Sequence, residues 1–516
     1  MQELNAQTLL SRAEAGCPWA VAPERVLQIG EGNFLRAFAD DFIDQMNERT
    51  GFNGRVLMLQ PRGDRGALRL RRQDCLYHVW LRGRLAGRPY TKLRLIRSVS
   101  RCLAGTAEDY PAFLQAAANP QLRFVISNTT EAGLRCDLPC APEDRPPQTF
   151  PARLARFLYE RWKQLNPAGQ TAPGLIMLPC ELNEHNGELL KTCVWTYARQ
   201  WQLEPAFYRW LESENRFYAT LVDRIVTGYS ASLGQELAAS RGLSDRLLVS
   251  AEPFALWVIQ APPSLEHELP LQSAGLPVTY TDDLTPYKIR KVRVLNGAHT
   301  VMAPTAYLAG LDIVRDSLHD PLLGRFIHRA IYQEILPTLD QALTPDGGRA
   351  FAQAVLERFD NPYIDHSLLA ISLNTVSKWR TRVLPTLKDY LADQGQLPVC
   401  LTFSLAALVA FYNCQGQPGT AGGIALGHRG SQTYEIKDDP AVLDFFAAHS
   451  QAPAGPLISL LLGRQDWWGE DLNRLPGLAA QVTAHLELIR TAGMRTAIRR
   501  LEDLPRVQEP GQGGLN

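Results

Sequence analysis

The chain carries no excess of charge. Its 53 Lys and Arg are balanced by 53 Asp and Glu over 516 residues. Such a chain has no overall electrostatic hold on nucleic acid or on an anionic membrane, although a local basic cluster can still bind a small anion. Long apolar runs are also missing. The most apolar stretch, Leu401 to Tyr412, falls short of the ~20 residues that cross a bilayer and reads as a buried helix. Residues 1–16 lack the basic segment, apolar run and small-residue cleavage site of a secretory leader. The nine cysteines are scattered, odd in number and without a Cys-x-x-Cys, Cys136 and Cys140 being the nearest pair. Free thiols in a reducing cytoplasm are expected. No His-Glu-x-x-His and no dense Cys/His cluster is present, so no metal is expected.

Hydrophobic residues make up 45% and charged residues 21%, a globular composition in a chain long enough for two substantial domains. We expect these at 1–280 and 281–516. In the first part, β-branched runs at Arg25–Gly30, Arg55–Gln60, Lys92–Arg97, Leu122–Ser127 and Gly174–Leu178 alternate with helical patterns such as Phe34–Met46. The alternation predicts an α/β domain, a largely parallel sheet covered on both faces. From about Thr285 helical spacing dominates: 298–311, 321–339, 348–359, 366–391, 401–413 and 475–501. A mostly α-helical C-terminal domain follows. The glycine-rich segment 415–432 lacks a following Gly-Lys-Ser/Thr and reads as a mobile surface loop. The tail 509–516 reads as disordered. No internal repeat is found.

Gly30-Glu-Gly32-Asn33-Phe34-Leu35-Arg36 follows a strand and opens a helix. Glycines there let backbone N–H groups approach a pyrophosphate. The third glycine of the usual fingerprint is replaced by Leu35, and an ordinary glycine turn would look much the same. The second strand runs into Gln60-Pro61-Arg62-Gly63-Asp64. Asp64 could bind the adenosine ribose or Arg62 a 2′-phosphate, which leaves NAD and NADP both open. Asn128, Thr129, Thr130 and Glu131 follow the fourth run, where a nicotinamide pocket or a plain polar loop fits equally.

Lys291-Val-Arg-Val-Leu-Asn296-Gly-Ala-His299 carries the groups that ketone reduction needs. A helix starting near Leu295 would put Asn296 and His299 on one face, with Lys291 just before it. A lysine can donate the proton, an amide can hold the developing oxyanion, and a histidine can orient a neighbouring hydroxyl. Singly, each has a blander reading: a solvated lysine, an Asn-Gly turn.

These segments resemble the mannitol dehydrogenase family of polyol-specific long-chain dehydrogenases. Gly30 to Arg36 matches its Gly-x-Gly-x-Phe-x-Arg start. Lys291, Asn296 and His299 match its Lys-x4-Asn-x2-His signature. Val222-Asp223-Arg224-Ile225, Asn361-Pro362 and Lys378 match later motifs. GEGNFLRAF, SNTTEAG, PCEL, LVDRIVTGY, LNGAHT and NPYIDHSLL are similar to the members that act on open-chain sugar acids. The resemblance implies a Rossmann-type N-terminal domain, NAD(H) as cofactor and catalysis by lysine without zinc. It implies Lys291 as acid/base and Asn296 at the oxyanion, helped by Asn183, with His299, Asp223 and Lys378 on substrate.

Two departures fall on the substrate side. Ala370 stands where the neutral-polyol members carry Arg, and Leu182 stands where they carry Asn. A pocket remodelled for a carboxylate is expected, with Arg380 and Arg382 as candidate clamps; both could instead face solvent. A bound carboxylate would raise the proton affinity of Lys291, suiting reduction at neutral pH and oxidation at higher pH. A sibling sugar-acid reductase, a neutral-polyol enzyme and a catalytically inactive dinucleotide sensor are the alternative readings.

Overall fold

In a computed structural model, residues 2–12, 21–166, 173–339, 345–414 and 424–502 are described. The chain forms two compact units, Met1–Thr285 and Pro286–Asn516.

The first unit is built on six parallel strands: β1 (Glu24–Ile29), β2 (Arg55–Leu59), β3 (Val99–Leu103), β4 (Phe124–Ser127), β5 (Ile176–Pro179) and β6 (Arg216–Phe217). Their spatial order is β3-β2-β1-β4-β5-β6, the doubly wound dinucleotide-binding order. Alternate residues enter two separate cores. Val26, Val56, Met58, Phe124, Ile126, Ile176 and Leu178 pack on one side with Phe42, Met46 and Trp257. Leu27, Ile29, Leu57, Leu59, Val125 and Met177 pack on the other with Leu154, Phe157, Leu190 and Tyr197. Burial on both faces is why these runs are apolar without a break.

One expected sheet member belongs elsewhere. Lys92–Arg97 falls mostly in Arg88–Ile96, which pairs antiparallel with Tyr77–Leu85 in a separate four-stranded sheet. Its Arg94 is buried against the helix Ala39–Arg49, with hydrogen bonds to Asp41 at 2.8 Å, Asp44 at 3.0 Å and Glu48 at 3.2 Å. A strand carrying such a cation cannot sit where both faces are apolar. The third parallel strand is instead Val99–Leu103. The helix expected over 34–46 is interrupted: Asn33–Arg36 is one turn, and Phe38, at φ −126° and ψ −79°, precedes Ala39–Arg49.

The second unit is mostly helical. Val399–Phe411 is buried on nearly all sides, and its first N–H groups are capped from outside. The buried carboxylate of Glu334 accepts from Cys400 N at 2.8 Å and Leu401 N at 3.0 Å, satisfying donors that a helix start leaves open. The segment expected as one helix over 366–391 is three: Leu368–Ile371, Thr375–Arg382 and Leu384–Gln394. Of the glycine-rich stretch 415–432, residues 415–423 lie outside the described residues, as does the tail 509–516. Ile424–Arg429 is not a loop but pairs with Gln432–Lys437 as a hairpin. Among the described residues no helix is long and apolar enough to cross a membrane. The described cysteines are free, and all but Cys136 are buried.

Candidate active site

Strand order places a ligand crevice at the carboxyl ends of β1 and β4, where the order reverses. Both ends carry the polar segments singled out above. Gly30 has φ +117°, and a Cβ there would lie 2.7 Å from the Asn128 carbonyl oxygen. Conformation and space both demand glycine. Gly32 differs: its φ of −63° and ψ of 163° suit any residue, and a Cβ would meet nothing within 4 Å. Its backbone is therefore open to approach, which fits a pyrophosphate. The following helix is a single turn, so the attraction for an anion comes from its free N–H groups and not from a long dipole.

Asn33 is exposed and Phe34 half-buried, stacked on Phe38 at 5.0 Å. Arg36 is buried and its donors are engaged. Nε donates to Glu31 O at 3.1 Å, Nη2 to Asn33 Oδ1 at 2.6 Å and Nη1 to Leu247 O. It braces the turn from behind. At the end of β2, Gln60 donates to Arg62 O at 2.6 Å and accepts from Ala67 N at 2.8 Å, while Arg62 and Asp64 are exposed.

The corner after β4 is fixed from below. Asn128 Nδ2 donates to Cys180 O at 3.0 Å. Thr130 sits at φ +71°, a conformation costing a β-branched residue roughly 1–3 kcal/mol. Thr130 and Glu131 are exposed. Asn183 Nδ2 donates to Glu131 O at 3.2 Å, while its buried Oδ1 has no hydrogen-bond partner among the described residues. Asp223 is buried at the end of the strand Thr220–Asp223. The buried Arg224 beside it donates to Ala37 O at 2.6 Å and Glu252 O at 3.0 Å.

In the second unit the signature residues lie inside a helix, not before one. Thr285–Arg290 leads directly into a π-helical turn, Lys291–Asn296, and then Gly297–Leu308. Gly297 N–H bonds to Val292 O, five residues back. In an α-helix, positions 291 and 296 would point about 140° apart. The i→i+5 register of a π-turn instead stacks the second over the first, and His299 follows three residues later on the same face. Asn296-Gly297 is thus no turn. Glycine eases close packing, since a Cβ at 297 would lie 3.2 Å from the Arg382 carbonyl, tighter than an ordinary contact.

His299 is 7% exposed. It stacks on Phe359 at 4.4 Å and meets His366 edge-on at 5.0 Å. Its Nε2 is buried and has no hydrogen-bond partner among the described residues. Burial, then neighbouring His366, Arg358, Arg382 and Lys378, push its pKa well below the usual histidine value, so the ring is neutral. Lys378 is half-buried and donates to Ile371 O at 2.9 Å. Burial and Arg382 pull its pKa down to about 8.

The two arginines separate. Positions 378 and 382 are about 40° apart on their helix and 380 about 200° from 378. Arg382 joins Lys378 and His299, half-buried, and among the described residues its guanidinium has no hydrogen-bond or ion-pair partner. Arg380 is exposed and lies against Gly469, whose added Cβ would sit 3.2 Å from its Nη2.

Sequence reasoning missed Glu181, although an acidic residue just past a strand end was a legible signal. It also missed Phe359, His366 and Arg358, which only the folding of distant segments brings to His299. A groove of about 440 Å³ lined by Tyr110, Arg145, Arg156 and Glu160 shares none of these residues. Among the described residues no group of three His, Cys, Asp or Glu is arranged to hold a metal.

A doubly wound dinucleotide sheet in one unit, with lysine, amide and neutral imidazole aligned in the other, defines a dinucleotide-dependent oxidoreductase. Residues 24–273 match the mannitol dehydrogenase Rossmann domain and 283–490 the mannitol dehydrogenase C-terminal domain. The chain belongs to the mannitol dehydrogenase family. It is 44% identical to an altronate oxidoreductase of Bacillus subtilis over 93% of its own length and 95% of the relative's. Against the altronate oxidoreductase of Klebsiella pneumoniae (strain 342) the values are 44%, 94% and 98%. Pseudomonas fluorescens mannitol 2-dehydrogenase, solved as a ternary complex with NAD and D-mannitol, aligns with a TM-score of 0.69 at 24% identity, covering 98% of this chain and 100% of that one. Substrate-free D-sorbitol dehydrogenase aligns at 0.77 and 22% identity, covering 96% and 100%. These two likenesses speak to the fold alone.

Proposed function

We propose that the chain is a cytoplasmic, NAD(H)-dependent oxidoreductase that reduces the ketone of tagaturonate to altronate. The reading rests on 44% identity to altronate oxidoreductases over more than nine-tenths of each chain. Substrate is a small sugar acid; no nucleic acid, membrane or metal has a part in the chemistry.

Gly30, Gly32, Asn33 and Phe34 form the turn that receives the dinucleotide, with Arg36 bracing it. Asn128, Thr129, Thr130 and Glu131 line the nicotinamide side. NADH, when bound there, would supply the hydride that the carbonyl carbon receives. As that bond forms, the carbonyl π electrons move to oxygen, which takes a proton from Lys291. Asn296, one π-turn on, donates its amide to the same oxygen, with Asn183 assisting. His299, neutral and with Nε2 unengaged, orients a substrate hydroxyl, and Asp223 holds another. Lys378 and Arg382 hold the carboxylate; the exposure of Arg380 on the far face of its helix argues against it as a clamp.

The test is NADH loss with tagaturonate, fructuronate and fructose, repeated with NADPH. Tagaturonate with NADH is expected to be turned over fastest; equal turnover of fructose, which has no carboxylate, would defeat the sugar-acid assignment. Arg382→Ala should raise the KM for the sugar acid by roughly 10- to 100-fold, as for a lost hydrogen bond to a charged group. Arg380→Ala should leave it within about twofold, a surface change.

A further inference from the structure

We propose that Glu181, which lies just past the end of β5, is a positioning residue of the dinucleotide site. It fixes the Ser127–Thr130 corner on which the nicotinamide half rests. The inference builds on the dinucleotide reading of this unit. In a sheet ordered β3-β2-β1-β4-β5-β6, a dinucleotide crosses the reversal point with one nucleotide over each half. The glycine turn after β1 begins the adenosine half, so the ends of β4 and β5 serve the other.

Glu181 joins those two ends. Its side chain is buried, with the residue 2% exposed. Oε2 accepts from Ser127 Oγ at 2.9 Å, and Oε1 accepts from Thr129 N at 2.9 Å and Thr129 Oγ1 at 3.0 Å. Its own carbonyl is held by Asn186 Nδ2 at 2.8 Å, and that amide also reaches Pro179 O and Thr220 O, each at 3.0 Å. The anchor is therefore tied to the sheet before it acts on the corner. Asn128, between the two bonded residues, brings its carbonyl against Gly30. Thr130, just beyond, is held at φ +71°. A carboxylate suits this place because Thr129 N can only donate and the hydroxyls of Ser127 and Thr129 both turn their protons toward it, so that one side chain accepts from all three. Burial raises its proton affinity, and the bonds from Thr129 and Ser127 act the other way.

Glu181→Gln keeps the shape but replaces one accepting oxygen by an NH2, so that a hydroxyl facing it must reverse from donor to acceptor. In the full-length chain, NADH binding followed by fluorescence is expected to weaken about tenfold, equivalent to ~1.4 kcal/mol. Binding of ADP-ribose, which lacks the nicotinamide, should stay within about twofold by calorimetry. Ser127→Ala, which removes one bond and leaves the carboxylate, should shift NADH affinity in the same direction by a smaller factor and serves if the first variant fails to fold. Unchanged NADH binding in a folded Glu181→Gln, or in Ser127→Ala where only that variant folds, overturns the proposal. So does equal weakening of ADP-ribose, which would make the residue a general structural support. If the parent chain binds neither ligand, the dinucleotide reading itself falls, and this inference with it.

Discussion

Replacing either of two glycines by alanine should damage this protein in opposite ways. At Gly30 the backbone is held at φ +117°, where a side chain costs roughly 1–3 kcal/mol. The new methyl would also stand 2.7 Å from the Asn128 carbonyl oxygen. That carbonyl is held in place, because the Thr129 N–H of the same peptide unit donates to Glu181 Oε1 at 2.9 Å and Asn128 Nδ2 donates to Cys180 O at 3.0 Å. Overpacking against a fixed neighbour adds roughly 1–3 kcal/mol, so Gly30→Ala should lose about 2–6 kcal/mol. At Gly32 the conformation is ordinary and the space empty. Gly32→Ala should cost only about 0.5–1 kcal/mol, from the poorer N-cap, and lower Tm by no more than about 2 °C. Its methyl nevertheless occupies the approach to the turn, so NADH affinity should fall roughly 10- to 100-fold as hydrogen bonds to the pyrophosphate lengthen. Thermal unfolding and NADH fluorescence titration on the same preparations separate the two effects. Parental NADH binding by Gly32→Ala would refute this account of the turn, as would parental Tm in Gly30→Ala.

Lys291→Ala should lower kcat by about 10²–10⁴, the usual contribution of a positioned acid, while NADH binding is unchanged; turnover at the parental rate would remove lysine from the mechanism. His299 is already neutral where an ordinary histidine titrates, so kcat/KM should show no limb near 6.5 that disappears in His299→Asn. Such a limb would mean that the ring gains a proton in the free enzyme. Asp40 is pushed up by burial to about 7 from 3.8. The folded state therefore holds this proton more tightly than the unfolded one, and the stability that it contributes is full below about pH 4 and lost as pH rises through about 7. Urea midpoints of parent and Asp40→Asn measured from pH 5 to 8 should converge toward low pH, with the parent's falling more steeply as pH rises; parallel curves would show that Asp40 is ionised throughout.

The sequence alone determined most of the parallel sheet. Runs buried on both faces are apolar without a break, and glycine or polar residues begin where the strands stop. It also singled out Lys291, Asn296 and His299 as the candidates for the proton chemistry, because they match the family's Lys-x4-Asn-x2-His signature. Local pattern could not assign Arg88–Ile96, whose place follows from Arg94 meeting three carboxylates on a distant helix. Nor could spacing align Lys291 with Asn296: five residues point apart in an α-helix and together across a π-turn, and spacing does not choose between the two. The same holds for Arg380 and Arg382, two residues apart in one basic run, where the helix turns one to Gly469 and the other to His299. Glu181 and Ser127 are 54 positions apart. Pairing between neighbouring strands makes them neighbours, and a carboxylate buried among donors has meaning only once those donors have been brought to it.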